Sequence, residues 1–126
     1  MTEELARRAI ACKGWRWMPG MLGLSAKAGS WRVEQTDLTT LFGAGAGPAS
    51  IHEVGVWLPD LTDPATVGCL LALVREAWGF QAFVTLTSGG WHVLGFPWEP
   101  DLTSSSRLAS GPTEAAALVA ALEAAP

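Results

Sequence analysis

Tyrosine is missing from this chain of 126 residues. Tryptophan, present seven times, is therefore the only aromatic side chain with a hydrogen-bonding handle, its indole N–H. Positive charge is also scarce. Eight Lys and Arg stand against twelve Asp and Glu, giving a net charge of −4 and a pI near 5.0. Neutralising a phosphate backbone takes clustered Lys and Arg, so the sequence argues against a nucleic acid as the main partner. Cysteine occurs only at Cys12 and Cys69, both inside helical patterns, with no partner two to four residues away. That spacing fits neither a disulfide scaffold nor a zinc site, and a reducing cytosol is the simpler setting. The most apolar stretch, Val67 to Val74, is too short to span a bilayer. Glu3, Glu4, Arg7 and Arg8 have no apolar run behind them, unlike a signal peptide. The expectation is a soluble protein with no membrane partner.

Catalytic signatures are equally thin. The glycine run Gly43 to Pro48 is followed by Pro48 and a strand pattern rather than a helix start, and it carries no Lys-Ser/Thr pair. It reads as a loop that could close over a ligand, not as a phosphate cradle. Ser104, Ser105 and Ser106 lack a nucleophile-elbow context. His52 with Glu53, and His92, are the only acid–base candidates, and the alternation of the hairpin reads His92 as structural. No cofactor, metal or catalytic set is expected.

What is present is apolar material: 49% hydrophobic against 16% charged residues, enough for one folded domain over 1–126. Thr2 caps a first helix to Lys13, with Leu5, Ala9 and Cys12 on one stripe, Ala6 and Ile10 beside it, and Gly14 as the stop. "SWRVEQ" and "IHEVGVWL" alternate as strands around a loop over Phe42 to Ser50. In "LPDLTDPATVGCLLALVREAWGF", Asp63 is a good N-cap, Pro64 suits the first turn and Gly79 ends the helix. Val67, Leu70, Leu71, Val74, Ala77 and Trp78 form its inner stripe, widened by Cys69 and Leu73. "FQAFVTLTSGGWHVLGF" is a hairpin about Ser88-Gly89-Gly90. "DLTSSSRLASGP" reads as a polar loop, and Thr113 with Glu114 opens an Ala-rich helix lined by Ala115, Leu118, Val119 and Leu122. The order predicts an α+β fold with three helices packed on a small, mainly antiparallel β-sheet, the central helix as spine.

Three segments, "ELARRAIACKGWRWMPGM", "LPDLTDPATVGCLLALVREAWG" and "GPTEAAALVAALEAA", resemble small tailed-bacteriophage proteins grouped under the phage alpha-beta-alpha sandwich domain. The resemblance covers roughly half the chain, leaves about 19–57 as an insertion, and carries no catalytic signature. It implies a sandwich-like fold and a host bacterial cytosol, and it leaves function open.

The binding expectation rests on tryptophan. Trp15, Arg16 and Trp17 follow the first helix; as a strand, they would set two indoles on one face and the arginine on the other. Core packing explains that arrangement, and so does a pocket rim in which an indole stacks on a base and Arg16 pairs with phosphate. Trp31, Trp57, Trp91 and Trp98 add aromatic surface, and seven indoles exceed what one small core buries easily. The expected ligand-binding set is Trp15, Arg16, Trp17, His52, Trp57, His92 and Trp98. The expected function is non-enzymatic capture of a small host molecule, a nucleotide-derived immune signal, by a phage accessory protein that forms a homo-oligomer. The alternatives are an interaction module that masks or bridges a protein partner through exposed Trp, and a hydrolase using His52, Glu53 or His92.

Overall fold

Asp63 starts the longest helix among the described residues, Pro64–Trp78, for the reason its sequence suggests. Its Oδ2 accepts hydrogen bonds from the Thr66 backbone N–H at 3.0 Å and the Thr66 hydroxyl at 2.8 Å, and its carbonyl accepts from Val67 N at 3.0 Å. These bonds satisfy donors that the first turn otherwise leaves unpaired. The computed structural model describes residues 2–25, 29–33, 57–79, 81–95 and 106–126. Among them the protein is α+β, with three helices and two antiparallel three-stranded sheets. In chain order these are α1 (Thr2–Ala11), β1 (Leu22–Ser25), β2 (Gly29–Arg32), β3 (Leu58–Pro59), α2 (Pro64–Trp78), β4 (Ala82–Thr87), β5 (Gly90–Gly95), β6 (Ser106–Gly111) and α3 (Glu114–Ala124).

Backbone contacts divide the chain into two compact units. The first is Met1–Ile10 with Arg16–Cys69, and the second is Ala11–Trp15 with Leu70–Pro126. In the first unit β1 is the middle strand of the order β2-β1-β3, pairing Gly23 with Trp31 on one side and Pro59 on the other. The pairing continues past β2, since Val33 N donates to Met21 O and Gly20 N to Val33 O, both at 2.7 Å. Val33 and Met21 are fully buried there, and on α1 Ala6 and Ala9 are buried as well.

The second unit is a meander, β4-β5-β6, with α3 packed on β5 and β6. Gly90 opens β5 at φ +109°, a conformation that L side chains rarely adopt, so the hairpin turns where its glycines stand. Thr113 caps α3 by accepting from Ala116 N at 3.0 Å. Trp78 Nε1 donates to Ala121 O at 2.8 Å, tying the end of α2 to α3.

Four expectations change in detail. The first helix ends at Ala11, not Lys13, and a turn follows in which Trp15 N donates to Cys12 O at 3.1 Å. The segment read as a polar loop contributes β6, which carries one extra residue between Arg107 and Ala109 opposite Val93 and Leu94 of β5. The extra residue breaks the two-residue alternation that would have marked a strand. The buried residues of α2 are Thr66, Leu70, Leu73 and Val74, whereas Leu71 is only half-buried. The inner face is turned toward Thr66 because its hydroxyl, besides donating to Asp63, accepts from Leu22 N at 2.8 Å. At β3 the buried side chains are Trp57 and Pro59 rather than Leu58. The loop expected over Phe42 to Ser50 lies outside the described residues.

Candidate functional site

Gly23 sits in the middle of the first sheet and has no side chain to fill the space above it. Its neighbours across the ladder, Trp31 and Pro59, share its face, and Trp57 lies two residues before Pro59 on that same side. A Cβ at position 23 would lie 3.3 Å from Cη2 and Cζ3 of Trp17 and 3.3 Å from Cε3 of Trp57, so two indoles occupy the place of a side chain. The ring centroids of Trp31 and Trp57 are 6.3 Å apart, with planes at 89°. This edge-to-face arrangement suits the aromatic quadrupole. Trp57 is 3% exposed, while Trp17 and Trp31 are half-buried.

The cluster has one unmet polar group. Trp57 Nε1 is buried and has no hydrogen-bond partner. Leaving such a donor unpaired costs about 1 to 3 kcal/mol, so the group departs from the usual pairing of buried polar atoms.

On the opposite face of β2, Arg32 holds a polar latch. Its guanidinium donates to Asp63 Oδ2 at 2.6 Å and Oδ1 at 3.0 Å, and to Gly20 O at 2.9 Å. Hydrogen bonds from Arg32, then those from Thr66, pull the Asp63 carboxyl from its ordinary 3.8 to about 2, against burial, which pushes it up. The Asp63 hydrogen bond likewise raises Arg32. Because the folded carboxyl is the stronger acid, its stabilising contribution is complete above the unfolded value and disappears as pH falls from roughly 4 to 2. We expect the melting temperature to fall more steeply across that window in the wild type than in Asp63→Asn, which keeps a capping oxygen. Parallel slopes in thermal melts at pH 5, 4, 3 and 2 would show that the latch contributes nothing.

Nearby, Cys69 Sγ donates to Pro19 O at 3.4 Å, and burial first, then Asp63, raises its pKa. A thiol held protonated is a poor nucleophile at neutral pH.

The other expected residues fall elsewhere. Trp17 and Trp57 belong to the first unit, whereas Trp15 and His92 belong to the second. Residues 15–18 form no strand, so Trp15 and Trp17 do not line a common strand face. Arg16 is exposed. His52 and Trp98 lie outside the described residues. His92, 8% exposed on β5, places Nε2 3.0 Å from Thr87 Oγ1. That hydroxyl donates to Gly90 O at 3.3 Å and accepts from Gly89 N at 3.2 Å. Hydrogen-bond logic thus makes Nε2 the protonated nitrogen and leaves Nδ1 as a buried acceptor without a partner. Through Thr87 the His92 ring braces the hairpin turn.

Trp31 and Gly23 are the members of the cluster that sequence reasoning left out of the site. Their signal was the pairing register, which aligns a glycine with a tryptophan and is not visible in either strand alone. Among the described residues no group of three His, Cys, Asp or Glu could hold a metal, and no helix is long and apolar enough to cross a membrane. Compared with family models, curated proteins and solved structures, the chain matches none.

Proposed function

We propose that the protein is a non-enzymatic binder that captures a small planar molecule at the Trp17, Trp31 and Trp57 cluster. The observation that carries this reading is the buried indole N–H of Trp57, which lacks an acceptor beside two half-buried indoles. A flat ligand gains stacking area on the indoles and offers the N–H an acceptor, and both gains are lost when it leaves. On the resemblance described above, the setting is an infected bacterial cell and the ligand a nucleotide-derived immune signal held away from its receptor. The alternative, a module masking a protein partner, has less support. Among the described residues the large exposed apolar side chains are Leu24 and Leu86, 42% and 61% exposed, one in each unit, and isolated residues of this kind are ordinary on protein surfaces.

Heating protein that has been incubated with infected-cell extract, then analysing the released small molecules by mass spectrometry, tests the reading. Wild type should release an intact aromatic compound that Trp31→Ala retains poorly. A chemically altered compound would point to hydrolysis, and an empty protein would end the capture reading.

A further inference from the structure

We infer that the cluster recognises the ring edge of its ligand and not a phosphate, with Trp57 Nε1–H donating to a carbonyl oxygen or an unprotonated ring nitrogen. This rests on the capture reading and narrows it to a ligand class: uncharged planar heteroaromatic rings, nucleobases among them.

The orientation of Trp57 carries the first step. Its Cε3 edge lies against Gly23, where a Cβ would come within 3.3 Å. Cε3 and Nε1 are on opposite edges of an indole, and the buried Nε1–H takes no acceptor from the β1 backbone. The perpendicular ring of Trp31 packs against Trp57, with the centroids 6.3 Å apart. A ligand edge reaches the N–H when one of the half-buried indoles, Trp17 or Trp31, rotates aside, a side-chain motion that needs no change in the sheet.

Charge carries the second step. Arg32, the cation on the strand that supplies Trp31, projects to the opposite face and spends its donors on both oxygens of Asp63 and on Gly20 O. The donor left unmet in the cluster is neutral, and a neutral N–H selects a ring acceptor at least as readily as a solvated dianion whose desolvation is costly.

Titration calorimetry with the four ribonucleosides, their 5′-monophosphates and inorganic phosphate tests this. At least one nucleoside should bind within about three-fold of its monophosphate, and inorganic phosphate should not bind. Trp57→Phe, which keeps the ring and removes the N–H, should weaken that nucleoside on the order of two- to ten-fold, the usual weight of one neutral hydrogen bond. Should Trp57→Phe fold poorly, the indole ¹H–¹⁵N signal of Trp57 in the wild type gives the same answer, shifting on nucleoside addition if the bond forms. Monophosphates binding more than ten-fold tighter than every nucleoside, with the preference abolished by Arg16→Ala, would overturn the inference while sparing capture. Binding of none of the probes, with intact small molecules still released from extract-loaded protein, would overturn it too. An empty protein in both experiments would remove the capture reading itself.

Discussion

A Gly111→Ala protein should melt well below the wild type. Position 111 ends β6 where the chain turns into α3, and an added Cβ there would lie 2.7 Å from Ala117 N, 2.9 Å from Ala116 C and 3.0 Å from Ala116 Cβ. Two of those three atoms are backbone, so no side chain can swing aside. The first turn of α3 would have to lift off the strand it packs on, opening the layer that buries Ala115, Leu118, Val119 and Leu122. Overpacking a well-filled interior usually costs about 1 to 3 kcal/mol, and a backbone obstacle belongs at the upper end of that range. Gly68→Ala supplies the contrast. A Cβ on that exposed helical glycine meets nothing within 4 Å, so alanine should stabilise α2 by about 0.5 to 1 kcal/mol. Circular dichroism melts of the two variants side by side decide the matter, and equal melting temperatures would refute the close approach of β6 and α3.

The second large effect is on α2. Leu70→Asp should abolish cooperative folding, because Leu70 is fully buried and the new carboxylate would be enclosed without a partner. That loss is on the order of several kcal/mol, comparable to the whole stability of a small domain. Leu71→Asp, one residue along and half-buried, should cost on the order of 1 to 2 kcal/mol and leave a folded protein. Urea unfolding followed by tryptophan fluorescence distinguishes the two. Similar damage from both would mean that the inward face of α2 has been misassigned.

The contrast between Leu70 and Leu71 shows how far the sequence could be read. Both ends of α2, the start of α3 and the hairpin were legible because they depend on local chemistry: the Asp63 and Thr113 caps, the Gly79 stop at φ +75°, and Gly90 at the turn. The facing of α2 was not, because a threonine is drawn inside by Asp63 and by Leu22 N, a partner far away in sequence. Strand β6 was hidden for a related reason, since its membership is set by β5 and its alternation is broken by the bulge. The candidate site followed the same pattern. Abundant tryptophan pointed to the residue type, but which indoles meet depends on the pairing of Gly23 with Trp31 and Pro59. Clustering by adjacency favoured Trp15 to Trp17, whereas the sheet joins Trp17 to Trp31 and Trp57.

The two sheets also differ in how much chain must be closed to make them. Strands β4 and β5 meet across the two-residue turn Ser88–Gly89, and β6 returns to β5 soon afterwards. Strand β1 finds β3 only after the chain has travelled from Gly23 round to Pro59. Closure entropy grows with the logarithm of the path, so doubling that path would cost only about 0.6 kcal/mol once the protein is folded. In kinetic terms the closure entropy must be lost before the pair forms, which delays non-local pairs along a folding trajectory. On that ground we expect the meander of the second unit to be the first sheet to order, which pulse-labelled hydrogen exchange would show as earlier protection of β4 to β6 than of the β1–β3 pair around Gly23.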